Sequence, residues 1–386
     1  MSSFADLKSS CPGIIVPGTL ASGAQAEEPV AALERVQLLG EHVIRCILAF
    51  EGLEDRDGIT QTDRLNTLSN RGLLPSTLLP FFHAINETSQ TAGMPPAALQ
   101  MRVALTAKLA ERLATWFAKS YGPQLSVTAK SASNAESAIK AIRESTSSDG
   151  IRRSARESAA RRANTMQLGE DETRVLIDFQ LRAAGWQTDT WAIRHSQGAR
   201  PEKGSNKAIA EWPTETGPAD YALFSGLDLV GVVEAKKMGK DVIAHLKQSK
   251  RYSHGITLDA EARFVGGPWE DYRVPFLFST NARPYLDQLK EKSGIWFLDA
   301  RCPTNHPRPL LGWYSPEELL DLLQQDVLAA EERLANEPLD YLGLRDYQQK
   351  AIRRIESALD QGQSRLSWPW RPELGKPSSL LGSSIG

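Results

Sequence analysis

The fold is decided by one stretch near the middle of the chain, DYALFSGLDLVGVVEAKK, which runs from Asp220 to Lys237. Two apolar runs in it, Asp220–Phe224 and Leu229–Ala235, are typical of strands. Between them Ser225–Asp228 is a turn signal whose Gly226 accepts a tight turn. The stretch therefore predicts a hairpin of two strands, the second of which is apolar enough to be buried on both faces.

Helical and strand patterns alternate on both sides of this hairpin. Helices are predicted over 170–184, 242–252 and 284–292, and further strands over 191–194, 275–279 and 295–299. This succession predicts an α/β layer domain, which we place at residues 169–310. Two amphipathic helices are predicted after it, over 315–335 and 344–359.

The N-terminal third has apolar residues at steps of three and four, as in Leu33, Val36, Leu39 and Val43, and predicts an all-α helical module over residues 1–125. Residues 126–168 are rich in Ser, Ala, Asn and Arg, with few large apolar side chains. They predict a flexible linker that is helical in part. The arginines of this linker either contact DNA or lie on a solvated face.

Composition narrows the class of protein. With 386 residues, 41% of them hydrophobic and 24% charged, the chain is an ordinary globular protein of two or three domains. The formal charge of −2 argues against binding of polyanions through bulk charge. Three cysteines, Cys11, Cys46 and Cys302, are too few for a disulfide framework. No apolar run approaches the roughly 18 residues of a membrane span and no signal peptide is evident, so we expect no membrane contact and a cytoplasmic location.

The chemistry is predicted at the ends of the two hairpin strands. Because strand side chains alternate between faces, Glu234 and Lys236 point the same way and Lys237 points to the other side. The hairpin brings them close to Asp220. Two carboxylates suit a hard divalent cation such as Mg²⁺, and a lysine beside them can orient water and offset charge on a phosphate.

The short pattern of acid, spacer and lysine also arises by chance in any chain as charged as this one. Its context makes it stronger, because Glu234 ends a strand that is otherwise apolar, where a charge needs a partner or a metal. Glu170 and Glu172 lie in the first turn of the preceding helix. Either one of them is a third metal ligand, or both stabilise the helix through its dipole. Gln248 and Tyr252 are four residues apart and share one helix face. Either they are part of the site, or Tyr252 is packed in the ordinary way with its hydroxyl hydrogen-bonded.

Together these residues resemble the nuclease domain of the restriction (R) subunit of type I restriction-modification enzymes, which are PD-(D/E)xK nucleases of the RecB-like kind. The resemblance is carried by Glu172-Thr173-Arg174, Ala184-Gly185-Trp186, Ala219-Asp220-Tyr221, Val233-Glu234-Ala235-Lys236-Lys237, Gln248-Ser249-Lys250-Arg251-Tyr252 and the run from Phe278 to Tyr285. It implies a mixed-sheet, restriction-endonuclease-like fold for residues 169–310, preceded by the helical module.

The resemblance also implies roles for the site residues. Asp220 and Glu234 would be Mg²⁺ ligands, with Glu172 favoured over Glu170 as a third, and Lys236 would be the catalytic lysine. Gln248 and Tyr252 would form the family's Q-x-x-x-Y motif and count among the catalytic set. The implied activity is metal-dependent cleavage of double-stranded DNA, with methyltransferase (M) and specificity (S) subunits as partners.

After a connecting helix over residues 311–343, the run Leu344-Arg345-Asp346-Tyr347-Gln348 resembles the opening motif of superfamily 2 helicases, where Gln348 would read the adenine of ATP. We place the start of a helicase domain at residues 344–364. The phosphate-binding loop that follows in the family is absent, since Gly375-Lys376-Pro377 lacks the required glycine and Ser or Thr. We therefore expect that this chain does not hydrolyse ATP.

A back-translation of Trp368–Pro377 read in a shifted frame can encode Ala-Met-Ala-Thr-Gly-Thr-Gly-Lys-Thr, the loop that is missing. The hypothesis is a frameshift between Gln361 and Trp368, with residues 365–386 as an out-of-frame tail. The first prediction is thus a truncated R subunit whose nuclease is retained and whose motor is lost. Its rivals are a non-enzymatic fragment that docks on partner subunits or DNA, and a stand-alone nuclease that never had a motor.

Overall fold

The computed structural model describes residues 29–360, except 57, 88–92, 146 and 260. Within these ranges helices come first and a mixed sheet follows, which confirms the predicted fold class. The expected tail over 365–386, the frameshift hypothesis and Cys11 lie outside the described residues. No helix in the described ranges is both long enough and apolar enough to cross a membrane.

Four helices form the centre of the helical module. They are α1 (Pro29–Phe50), α2 (Gln61–Asn70), α3 (Leu79–Asn86) and α4 (Pro96–Ser120). The apolar stripe of α1 is buried, as its spacing predicts. Gly40 lets α3 approach α1 closely, because a Cβ at this position would lie 2.6 Å from Cδ1 of Ile85.

Three further helices lie in the stretch where a flexible linker was expected. They are α5 (Val127–Lys130), α6 (Ala135–Glu144) and α7 (Asp149–Asn164). The buried side of α7 consists of Ala155, Ala159 and Ala163, and Trp116 Nε1 donates to the Ala159 carbonyl at 3.0 Å. Small side chains bury little area each but allow a close approach, so a low content of large apolar residues does not exclude a packed helix.

Part of the arginine run in α7 joins this packing. Arg152 Nε donates to the carbonyl of Phe50 at 3.1 Å, and Arg156 pairs with the buried Glu51 at 3.4 Å. These two arginines therefore pack against the C-terminal end of α1. The sequence did not predict this role.

A seven-stranded sheet forms the second half of the fold, with helix α8 (Glu170–Ala183) before it. Its strands are β1 (Asn206–Trp212), β2 (Ala219–Ser225), β3 (Asp228–Ala235), β4 (Arg263–Phe264), β5 (Phe276–Thr280), β6 (Ile295–Asp299) and β7 (Arg308–Leu310). The order is β1-β2-β3-β5-β6-β7, with β4 also paired to β3. β3 runs parallel to β4 and β5, and all other pairs are antiparallel.

Helices cover both faces of the sheet. Tyr221 and Val233 face the cluster that contains the apolar side of α8. Ala222 and Val232 face the other cluster, which includes residues of α9 (Leu246–Gly255). By the alternation along a strand, Asp220 and Glu234 lie on the α9 face.

Two local predictions differ from the structure. Residues 191–193 form turns and a bend, and Arg194 makes only an isolated bridge to Ala210, so there is no strand here. The turn forms because the Asp189 carboxylate accepts from the backbone N–H groups of Trp191 and Ala192 at 3.0 and 2.8 Å. The helix expected over 284–292 is a short 3₁₀ segment, Asp287–Lys292.

The chain after the sheet is helical. The structure has α10 (Pro316–Gln324), α11 (Val327–Asn336) and α12 (Asp346–Asp360). The amphipathic stretch 315–335 is divided between α10 and α11. Ser315 begins α10 with a capping box, in which its side chain accepts from the Glu318 N–H.

Candidate active site

Two neighbouring strands position the acids. Tyr221 of β2 lies opposite Val233 of β3 in an antiparallel pair. Asp220, which precedes Tyr221, therefore lies beside Glu234, which follows Val233, and both are on one face of the sheet. The backbone N–H of Ala235 donates to Oδ2 of Asp220 at 2.7 Å. The hairpin predicted from the sequence thus brings both carboxylates together.

Glu234 is fully buried. Lys236 Nζ and the Tyr252 hydroxyl both approach its carboxyl group. Neither oxygen of Glu234 is held in a hydrogen bond of normal geometry within the described chain. A buried carboxylate with incomplete hydrogen bonding is costly, and it is typical of a site that accepts another ligand.

Burial also sets the proton affinity of the two acids. It raises the pKa of Glu234 to about 7, and the charge of Asp220 adds to the rise while Lys236 opposes it. The pKa of Asp220 is raised as well, again by burial and against the pull of Arg174. Burial therefore favours the protonated form of both acids, and a cation bound beside them would favour the ionised form.

Lys236 lies one residue beyond the end of β3. Its backbone N–H donates to the carbonyl of Thr280 at 2.8 Å, which continues the parallel pairing with β5 and holds the main chain. The Lys236 side chain folds back and forms an ion pair with Glu234, and one quarter of it is exposed to solvent. An amine at this place reaches both the carboxylate pair and solvent.

Helix α9 adds the two polar residues that were predicted to share a face. Gln248 Nε2 donates to the Tyr252 hydroxyl oxygen at 2.6 Å, and the Tyr252 hydroxyl points to Glu234. The pKa of Tyr252 is raised, first by burial and then by the charges of Glu234 and Asp220. Tyr252 therefore stays protonated, and its hydroxyl hydrogen is available to Glu234.

The structure does not bring Glu172 to the two carboxylates. Its side chain accepts from the Gly169 N–H at 2.7 Å and from Arg112 at 3.0 and 2.8 Å, so it caps α8 and pairs with α4. The physical reason is the direction of the side chain on α8: Glu172 faces Gly169 and Arg112, whereas Arg174, two residues later, reaches Asp220. Within the described ranges, no group of three His, Cys, Asp or Glu side chains is arranged to hold a metal ion.

Arg174 is the site residue that sequence reasoning missed. Its Nη2 donates to Oδ1 of Asp220, and the same nitrogen lies 3.8 Å from Glu170. The guanidinium also lies 5.9 Å from the ring centre of Tyr221. The sequence contained a signal, because an arginine four residues after Glu170 shares its helix face, but only the folded chain shows that Asp220 is its partner.

Gln348 lies far along the chain from this site, in the first turn of α12. Its Oε1 accepts from the Arg345 N–H at 2.9 Å, so the side chain caps its own helix. This contact neither requires nor excludes the adenine role that the resemblance implies.

The side chains of the site fit a hard divalent cation. Asp220 and Glu234 offer carboxylate oxygens, the ligands that Mg²⁺ prefers in proteins, and Glu234 has two buried oxygens that lack good hydrogen bonds. Each acid has a cation beside it: Arg174 pairs with Asp220, and Lys236 pairs with Glu234. These observations define an acid pair with a lysine, close to two strand ends and lined by α9.

Comparison with known proteins shows what this chain is similar to in sequence. Residues 187–323 match the family of the type I restriction enzyme EcoKI endonuclease subunit second domain. The type I restriction enzyme EcoKI endonuclease subunit of Escherichia coli (strain K12) is 40% identical over 246 residues, which are 56% of this chain and 21% of that protein. Over residues 187–323 the chain is therefore similar to the type I restriction endonuclease subunit family.

The family match confirms the resemblance that the motifs predicted. The matched residues include Asp220, Glu234, Lys236, Gln248 and Tyr252, whereas Arg174 lies before residue 187. This chain spans about a fifth of the length of the Escherichia coli subunit. No solved structure matches the chain.

Proposed function

We propose that this chain hydrolyses phosphodiester bonds in double-stranded DNA, as the nuclease of a type I restriction enzyme. One observation carries the proposal: two carboxylates and a lysine, from adjacent strand ends, meet in one place. Asp220 and Glu234 would hold Mg²⁺. The relation to a restriction endonuclease subunit supports DNA as the substrate.

When bound, Mg²⁺ would polarise a phosphate oxygen and make water more acidic. Asp220 is kept in one orientation by the Ala235 N–H and by Arg174. Lys236 supplies a positive charge that orients the attacking water and offsets charge on the phosphate in the transition state. Tyr252, itself held by Gln248, donates toward Glu234 and limits the rotation of its carboxylate.

We extend the proposal to the partners that the sequence resemblance implies. Methyltransferase and specificity subunits would supply recognition of the DNA sequence, and this chain would supply cleavage. The overall charge of −2 agrees with such a division, because a chain without a net positive charge benefits from partners that place it on DNA.

A plasmid-nicking assay with Mg²⁺ or Mn²⁺ tests the activity. We expect Lys236→Ala to reduce nicking about a hundredfold or more, since it removes a charge aimed at the transition state. Lys237→Ala is the matched control, because Lys237 is the adjacent lysine and is exposed. It should nick DNA at the wild-type rate.

Equal nicking by wild type and Lys236→Ala would contradict the proposed role. Metal binding without any nicking by the wild type would instead favour the rival interpretation, a non-enzymatic chain that docks on partner subunits or DNA. EDTA should abolish nicking if the reaction depends on a metal.

A further inference from the structure

Arg174 is placed unusually for an arginine that only supports a fold. It is buried, it extends from α8 on one side of the sheet, and its Nη2 contacts Oδ1 of Asp220 at the strand end. Its Nη1 is buried and makes no hydrogen bond within the described residues. An unsatisfied buried donor costs free energy, so a structural role alone does not account for this side chain.

The four charged side chains that meet at the two strand ends balance one another in the absence of a metal. Asp220 and Glu234 contribute two negative charges when ionised, and Arg174 and Lys236 contribute two positive ones. The buried Asp178 also acts on Arg174, but its own charge is offset by Arg182. Glu170 also pairs with Arg174, but its side chain is 65% exposed and water screens its charge. A divalent cation entering this site would leave an excess of two positive charges, which a buried site does not tolerate without an anion.

DNA supplies that anion, because each phosphate of the backbone carries one negative charge. We propose that Arg174 is a positioning residue that holds Asp220 and makes divalent-cation binding at Asp220 and Glu234 depend on DNA. This inference rests on the proposed function. An arginine suits the role better than a lysine, since its charge persists at every pH at which the protein is folded.

The test measures Mn²⁺ affinity by calorimetry, with and without a short DNA duplex, whose integrity is checked on a gel. In the wild type we expect the duplex to raise Mn²⁺ affinity about tenfold or more. In Arg174→Gln, Mn²⁺ affinity without DNA should rise about tenfold and the effect of DNA should shrink to about twofold. Arg174→Lys, which keeps the charge, should retain most of the DNA effect.

The matched control is Arg182→Gln, a change of the same kind on the same helix. Arg182 is buried and paired with Glu87, away from the acids. It should leave both Mn²⁺ affinities unchanged, with folding of all variants checked by circular dichroism. Should Arg174→Gln not fold, Glu170→Lys adds a positive charge beside Arg174 at an exposed position, and it should increase the DNA effect.

Two negative results can be told apart. In the first, Arg174→Gln binds Mn²⁺ with wild-type affinity and a wild-type DNA effect, while Asp220→Asn loses Mn²⁺ binding. Arg174 then does not couple the binding of Mn²⁺ to the binding of DNA. The metal site itself then stands. If Asp220→Asn binds Mn²⁺ as the wild type does, the proposed metal site fails, and the role of Arg174 fails with it.

Discussion

Glu234 offers a carboxylate to the proposed metal site, but as a buried acid it also lowers the stability of the fold. Its carboxyl group is fully buried, and burial together with Asp220 raises its pKa to about 7. The ordinary value, 4.5, applies to the unfolded chain. Between these two values the unfolded chain releases the proton and the folded chain keeps it, so stability falls as pH rises through this window.

Glu234→Gln should therefore stabilise the protein at pH 8 and have little effect at pH 5. The amide resembles the protonated acid, so the variant avoids the cost of a buried charge, about 1–3 kcal/mol above pH 7. The measurement is the unfolding temperature at both pH values. Glu157→Gln, at an exposed position of α7, is the control and should show no such pH dependence. An equal gain at both pH values would contradict the explanation.

The same titration sets the pH dependence of the proposed activity. Below about pH 7 Glu234 holds a proton, and a protonated carboxyl group is a poor ligand for a divalent cation. Mn²⁺ affinity should rise with pH between 6 and 8, by up to about tenfold per unit for one proton released. Calorimetry across this range checks it, and a flat profile would contradict it.

At the scale of the element, helix α8 combines several functions in its first turns. Glu172 completes a capping box with the Gly169 N–H and pairs with Arg112 of α4, whereas Arg174 turns toward Asp220. Residues two apart on a helix point in different directions, so these side chains meet different partners. The helix thus connects the helical module to the acid pair.

Glu172→Ala tests which role this acid has. It removes the capping contact and the pair with Arg112, and we expect a loss of about 1–2 kcal/mol in the free energy of unfolding. Mn²⁺ affinity should remain that of the wild type, in contrast to Asp220→Asn. Urea denaturation and calorimetry give the two values. A large loss of Mn²⁺ affinity in a folded Glu172→Ala would restore Glu172 as a metal ligand.

Across the whole molecule, ion pairs join the helical module to the domain that contains the sheet. Arg182 of α8 donates to Glu87, which follows α3, at 2.6 and 2.9 Å, and both side chains are mostly buried. Near them the His83 and Phe179 rings stack with their centres 5.6 Å apart. A buried pair of this kind makes the two parts unfold together, because its rupture leaves a charge without a partner.

Glu87→Leu should lower the free energy of unfolding by about 3 kcal/mol, since Arg182 would remain buried without its main partner. The double variant Glu87→Leu with Arg182→Leu should recover a large part of this loss. Thermal unfolding measures both. The control is Glu54→Leu, which breaks the exposed pair with Arg56 and should cost less than about 1 kcal/mol. Equal losses for the single and double variants would contradict the argument.

Local sequence patterns were sufficient to predict the hairpin and the common face of Glu234 and Lys236, because turn chemistry and the alternation of strand side chains involve only neighbouring residues. Gln248 and Tyr252 were placed together for the same reason, by helical spacing. The family resemblance was likewise readable from short motifs in order, and the comparisons confirm it.

The partners of side chains that are far apart in the sequence became visible in the folded chain. Arg112 lies 60 residues from Glu172, and Arg174 lies 46 residues from Asp220. The alanine face of α7 became a packed surface only through Trp116 and its neighbours. Such contacts depend on how helices pack on a sheet, and the spacing of residues along the chain does not predict that packing. The partner of a charged side chain is therefore known only once the chain is folded.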